Sequence, residues 1–549
     1  MALLHDDNAT PLPHDMEAVD SGLEDQVGPA SSATAELGAP VENTDPLGRH
    51  VTLFAAIMLD VGQITGSGIF SVPGTILNSV GSIGVSLLYW IIAPLFAFSG
   101  LSLYSELASM FPKRSGAEVV YLEQAYPKPK YFVSTTFAIT TILMSFSAAN
   151  AVVFAQYWLT ALDLPITSAS QTHTAIGVSL VSLSLVAIST KWSLQAVKFL
   201  SSFKIISLAF VVLTGLAVLL GLTNIKDPYA NFRHPFEGTS LSVNAFALTL
   251  VKANHSFIGW QNAFNVLGEI KSRDPARTAR KAGRIALGLT AFLFFFINVS
   301  YIAAVPKEEI KNSGQLVAAL FFQHVYGYRW GVKILSYLVA LNCFGNLVAV
   351  TISHARLIRE VARQGLLPFP GLFSSTKPFG TPLGPVILKG AISIFVILLV
   401  PAKDAFNFVL DLASYPSYLF QCIMIAGIWL LRKRRKLAGI APSPLQAKRS
   451  SVLLYLSLCL VMVVMPWVPP KSGHGDVSFW YATYCVAAIF VLLTTALYYW
   501  IWIILLPRLG GYEIVEILEG SEDGSRNKRL VRRYKNAELQ SLLSSTVTT

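Results

Sequence analysis

Two stretches combine residue types and spacing that suit ligand chemistry inside an apolar chain. Thr65-Gly66-Ser67-Gly68 interrupts the apolar run Val51–Leu77, with Pro73 one turn beyond. Lys252-Ala-Asn-His-Ser-Phe-Ile-Gly-Trp260 interrupts a second run, Val243–Leu267. Each glycine weakens a helix by about 1 kcal/mol relative to alanine. In hydrocarbon, each unpaired N–H or C=O costs several kcal/mol more. A break is therefore sensible where the freed groups meet a polar cavity or a ligand. The alternative is that the glycines only allow close helix packing. Two breaks five spans apart, at matching places in two halves, favour the first reading and point to an inverted repeat with a site at the midplane.

Half-helix N-termini offer free N–H groups and a positive dipole end to a carboxylate. Half-helix C-termini and unwound carbonyls suit an ammonium. A zwitterion satisfies both. If the first half-helix ends near Ile64 and Thr65, their carbonyls face an ammonium across Gly66. The N–H groups of Ser67, Gly68 and Ile69 then face a carboxylate. Carbonyls around His255, Ser256 and Phe257 add to the ammonium site, and Gly259 leaves room for a side chain beside Ile258 and Trp260. Neither break contains Asp or Glu, so a neutral, sizeable apolar side chain is expected.

These stretches need a membrane frame, and composition supplies one. The chain has 549 residues, 53% hydrophobic and 13% charged, with a mean hydropathy of +0.55. Soluble proteins carry roughly twice that share of charge. A span needs ~20 residues. The candidate spans are Val51–Leu77, Ile83–Met110, Phe132–Leu162, Thr174–Ser189, Val197–Leu222, Val243–Leu267, Ile285–Val305, Val332–Ile358, Val386–Val400, Phe406–Leu431, Val452–Val468 and Phe479–Leu505, twelve in all. Lys and Arg concentrate near three to one in alternate loops, which puts both termini in the cytosol. The net charge of +11 reads as this orientation signal, not as a nucleic-acid footprint.

Residues 1–50 read as a disordered acidic cytosolic tail whose only Lys or Arg is Arg49, and residues 507–549 as a mixed-charge cytosolic tail more suited to regulation or trafficking than to a folded domain. Spans one to ten occupy 51–435, and the last two occupy 436–506. Gly116–Tyr126 can form a short helix on the inner membrane face, and Pro306–Tyr328 a helical hairpin over a cavity mouth. The four cysteines lie in apolar runs, so neither a disulfide framework nor a metal centre is expected, and no cofactor. HExxH, GxSxG and phosphate-loop motifs are missing, which argues against an enzyme.

The run QITGSGIFSVPG resembles the signature of the amino acid–polyamine–organocation superfamily. Further matches are Tyr104-Ser-Glu-Leu-Ala108 with Lys113-Arg-Ser-Gly116, GW and EIKSRDPAR at the sixth span, and Arg356-Leu-Ile-Arg359 with Gly365-Leu-Leu-Pro368. Within that superfamily the chain is most similar to the L-type amino acid transporters. RSGAEVVYLEQAYPKPKY and GWQNAFNVLGEIK resemble their fungal methionine permease-like branch.

The resemblance implies an all-α LeuT-like fold of twelve helices with a 5+5 inverted repeat. It implies secondary active, proton-coupled uptake of methionine or similar neutral amino acids by alternating access, at the plasma membrane. It gives Lys204, in Ser202-Phe-Lys204-Ile-Ile, the place of the coupling cation, beside the first-span break; the alternative is a lysine snorkelling to the inner surface. It places His255 where relatives carry a gating aromatic, a role Phe257 or Trp260 can supply instead. Asp60 faces the inner vestibule or pairs with a lysine, Glu106 belongs to the scaffold, and Lys252 is either a binding group or, as favoured, a partner of scaffold carbonyls. The loop Asp163–Thr174 lacks the cysteine that joins relatives to a single-span glycoprotein, so no disulfide-linked heavy chain is expected. A sensor with little flux, an exchanger and a polyamine carrier are the rivals on the same fold.

Overall fold

A computed structural model describes residues 47–66, 68–112, 114–313, 317–399, 402–469, 480–520 and 526–534. Most of the N-terminal tail (1–46), Ser67, Lys113 and the Ser/Thr-rich end (535–549) lie outside the described residues.

The first apolar run forms α1 (Leu53–Ile64) and α2 (Gly68–Val80), bent by 44° at the glycines. Thr52 caps α1 by accepting the Ala55 N–H at 3.2 Å. The second run is α3 (Ile83–Met110), followed by the short α4 (Glu118–Ala125). The third run is two helices, α5 (Phe132–Leu143) and α6 (Ala148–Ala161). Next come α7 (Ser168–Ile188) and α8 (Thr190–Leu219). The sixth run gives α9 (Val243–His255), a turn, and the single turn α10 (Asn262–Asn265). Then follow α11 (Pro275–Ala304), the hairpin α12 (Lys307–Asn312) and α13 (Val317–Tyr326), and α14 (Tyr328–Arg363). The remainder is α15 (Pro370–Ser374), α16 (Leu383–Leu399), α17 (Ala402–Leu437), α18 (Arg449–Val464), α19 (Thr483–Tyr499) and α20 (Leu506–Gly510).

Among the described residues nine helices are long and apolar enough to span a membrane, and ten if the bent α1–α2 pair is one span. The two other expected spans are shorter: α9 has 13 residues before its break and α16 has 17. The expected hairpin over 306–328 is present as α12 and α13.

The third run spans as expected, over Phe132–Ala161, although residues 144–147 leave the helix within it. Two expectations need correction. The short helix α4 does not lie on a membrane surface. Val119 through Ala125 are buried beneath α17 and α5, so the helix is part of the core. The chain is also not wholly helical, because the C-terminal segment contains two strands. Antiparallel β1 (Tyr512–Gly520) and β2 (Arg526–Tyr534) pair from Tyr512↔Tyr534 to Gly520↔Arg526. Glu516 of β1 accepts a hydrogen bond from the Tyr131 hydroxyl and lies 3.5 Å from Lys130 Nζ.

The site is held from the end of the bundle that carries the basic loops. There, carboxylates meet guanidinium groups away from solvent. Arg356 lies 2.9 Å from Glu269, both side chains 1% exposed, and tethers α14 to the segment after α10. Arg114 contacts Glu123 at 3.2 Å and Glu360 at 3.1 Å, Arg363 contacts Glu360 at 2.9 Å, and Arg432 contacts Glu106 at 2.6 Å. The last pair gives Glu106 the scaffold role expected of it. Bidentate arginine–carboxylate geometry satisfies several polar atoms at once, which a buried charge requires.

Candidate functional site

The α1 helix ends because its ladder runs out at the glycines. The Thr65 N–H still donates to the Val61 carbonyl at 2.9 Å, while the Gly66 N–H turns back to the Ile64 carbonyl at 3.0 Å. Lys204 of α8 takes up the carbonyls so released. Its ammonium donates to Gly62 O at 2.7 Å and to Thr65 O at 2.5 Å, and the side chain is 0% exposed. Gly345 of α14 makes the slot: a Cβ there would stand 2.8 Å from Lys204 Cε. Lys204 thus sits where α1, α8 and α14 meet and does not snorkel. Because the Thr65 and Ile64 carbonyls already accept hydrogen bonds, neither stands free as the sequence suggested.

The second break follows α9. Ser256, Phe257 and Ile258 donate to Ala253, Asn254 and His255 carbonyls in a tight turn at 3.0–3.2 Å. Gly259 follows with φ of +127°, a conformation that side-chain-bearing residues rarely adopt. The two breaks touch. A Cβ on Gly259 would lie 2.7 Å from the Ile64 nitrogen, and one on Gly68 would lie 3.1 Å from Ser256 Oγ. Gly259 therefore admits the first span's backbone and makes no room for a bound side chain, which corrects the sequence reading.

A cavity of about 290 Å³ opens beside this contact. Of the residues proposed from sequence, His255, Phe257, Ile258 and Trp260 line it, while Ile64, Thr65, Gly66, Gly68, Ile69, Ser256 and Gly259 do not. The first break reaches the cavity through Gln63. The Gln63 carbonyl accepts the Asn346 side-chain amide at 2.7 Å, and Asn346 Oδ1 accepts the Asn150 amide at 3.1 Å. Gln63 Oε1, Thr65 Oγ1, Asn150 Oδ1 and Ser256 Oγ are buried with no hydrogen-bond partner among the described residues. Such unused polar atoms, three at the two helix breaks and one on α6, suit a polar ligand.

Sequence reasoning missed Asn150, Asn346 and Glu118. The asparagines are isolated polar residues in long apolar runs, which was the available signal. Glu118 reaches the cavity from α4 and accepts from Tyr104 Oη at 2.5 Å. Burial pushes its carboxyl above the ordinary range, against the lowering effect of that hydrogen bond.

Aromatic rings close around the turn. Phe257 is fully buried, edge-on to Trp90 at 6.1 Å, and Trp260 stands edge-on to Tyr104 at 4.9 Å. Asp60 is also fully buried. Its Oδ1 accepts the Ala263 N–H at 2.9 Å, while Asn262 donates to Leu59 O at 3.2 Å, so α1 and α10 are stitched together. No cluster of three potential metal ligands occurs among the described residues.

Residues 51–493 match the family described as amino acid permease. The chain is 31% identical over 496 residues to a high-affinity methionine permease of Saccharomyces cerevisiae, covering 88% of this chain and 84% of that one. It is 27% identical over 488 residues to a low-affinity methionine permease of the same yeast, covering 87% of each. It is 26% identical over 451 residues to the human large neutral amino acids transporter small subunit 2, covering 81% and 80%. With its helical membrane frame and paired helix breaks, the chain belongs to the amino acid permease family and is a multi-pass transporter, not an enzyme.

Proposed function

We propose that the protein takes up neutral amino acids, methionine or a similar large one, by proton-coupled alternating access. The observation that carries this is the contact between the two helix breaks at the wall of a cavity with unused polar atoms. In this reading the zwitterion's ammonium lies against Gln63 Oε1 and Asn150 Oδ1. Its carboxylate lies toward the N-terminus of α2, where Gly68 and Ile69 carry the donors. The side chain extends among Phe257, Ile258 and Trp260. The transported partners are the amino acid and a proton, and no heavy chain is required.

Lys204 is the coupling group. Its ammonium occupies backbone carbonyls as a bound metal cation would, so loss of its proton frees the first-span break to rearrange. The names of the two yeast relatives support methionine as cargo. The matching breaks support a LeuT-like 5+5 repeat of twelve spans; the Lys and Arg bias of alternate loops supports cytosolic termini, and the plasma membrane is the location in this reading.

The test is uptake of a labelled amino acid panel at two external pH values. Saturable methionine uptake that rises with acidity is expected. Binding without flux would instead favour a sensor, trans-stimulated flux an exchanger, and spermidine uptake without methionine uptake a polyamine carrier.

A further inference from the structure

The gap in the third run holds a second buried lysine that the transport reading does not use. Lys389 of α16 is 1% exposed, and its Nζ donates to Ser147 Oγ at 2.6 Å. Ser147 is the residue before α6, and its own N–H donates to Ser393 Oγ, one turn along from Lys389, at 3.2 Å. On the other side of the gap, His354 Nδ1 lies 3.2 Å from the Ser145 carbonyl. Ser145 Oγ is buried with no hydrogen-bond partner among the described residues. Ser147, Asn150 and His354 line the cavity.

The electrostatics of this corner are unbalanced. No carboxylate lies within ion-pair distance of Lys389 among the described residues, although a buried ammonium is stable only when paired or well hydrogen-bonded. It also stands at the N-terminus of the 14-residue α6, the positive end, where a cation is repelled. The Ser147 side chain does not cap that helix. Its oxygen is taken by Lys389, so its O–H proton is free to point into the cavity. A cation, a positive helix end and a polarised hydroxyl converge, and among the described residues no carboxylate pairs with them.

We propose that the gap between α5 and α6 is a subsite for one small monovalent anion, held by Ser147 Oγ–H and the first N–H groups of α6, with Lys389 as the countercharge. The shared ligand chemistry is a compact single negative charge. Its source is either a free halide or the side-chain carboxylate of an amino acid in the cavity. Only the second source rests on the transport reading.

The full-length protein, purified in detergent, is unfolded by heat while its tryptophan fluorescence is followed. Sodium chloride is titrated against sodium isethionate, a bulky sulfonate, at constant ionic strength; L-glutamate is compared with L-glutamine. A saturable rise in midpoint of ~2–4 °C is expected with the occupying anion. The rise should vanish in Lys389→Met and Ser147→Ala and persist in Lys389→Arg. Chloride dependence assigns a halide; a rise with glutamate but not glutamine assigns a cargo carboxylate. No rise with either anion, or an equal rise in Ser147→Ala, overturns the subsite. Ser147→Ala keeps the lysine and decides the matter if Lys389→Met does not fold. A methionine-induced rise without an anion-induced one sinks this subsite alone. An anion-induced rise with no methionine uptake in liposomes sinks the transport reading alone.

Discussion

Lys204 Nζ stands 2.5 Å from the carbonyl oxygen of Thr65, the residue at which the first membrane helix stops. A second bond, to Gly62 O at 2.7 Å, makes the lysine a clasp across the last turn of α1. The break and the cation are one object: unwinding frees the carbonyls, and the ammonium satisfies them.

Replacing Lys204 by methionine keeps the bulk and removes every donor. Two buried carbonyls then lose their partner, at about 1–3 kcal/mol each. The expected outcome is a lower melting midpoint with expression retained, and a ratio of acidic to neutral uptake that falls toward unity. Uptake with unaltered pH dependence would remove Lys204 from the coupling step.

Gly259→Ala tests whether the two breaks must touch. The new methyl would sit 2.7 Å from the Ile64 nitrogen on a backbone at φ +127°. Strain of about 1–3 kcal/mol is expected from the conformation alone, and the overlap adds about 1–3 kcal/mol. Thermal unfolding should show the loss, and flux should fall with it. A fully active alanine variant would mean that the first-span backbone can move away freely.

Asn346→Ala removes the amide that holds Gln63 O and releases Asn150. If Asn150 and Gln63 receive the cargo ammonium, losing one bond to a charged group, about 1.5–3 kcal/mol, raises KM roughly tenfold or more. Initial-rate uptake over a range of methionine concentrations reads this directly. An unchanged KM would place the ammonium elsewhere.

The sequence showed the frame and the two glycine-marked breaks, because Gly66, Gly68 and Gly259 disrupt apolar periodicity where nothing else does. Lys204 stood out as a charge in hydrocarbon. The third gap was invisible: Leu-Met-Ser-Phe-Ser-Ala-Ala has neither glycine nor proline and reads as unbroken helix. What opens it is tertiary, namely Lys389, Ser393 and His354 supplying partners for the interrupted backbone and its hydroxyl. The burial of α4 was hidden for a similar reason, since a short amphipathic segment looks alike on a membrane surface and under a bundle. The terminal hairpin had a signal, Asp523-Gly524 between alternating stretches, but its many charges masked the strand pattern.

Glu269→Gln tests the tether between α14 and the segment after α10. Arg356 would be left as a buried charge without its carboxylate, a change that costs about 3–5 kcal/mol. A steep fall in thermal midpoint, relieved in part by adding Arg356→Met, is the expected pattern. An unaltered midpoint in the single variant would show that water reaches the pair.

The β1–β2 hairpin is fastened by Glu516 to Lys130 and Tyr131, at the foot of the third run. Reporter fusions and affinity handles therefore have a safe side and a harmful side. A protein joined after Gly511 would strip that foot of its brace, whereas one joined beyond Tyr534 leaves it in place. Shortened forms made for crystallisation or trafficking assays inherit the same dividing line.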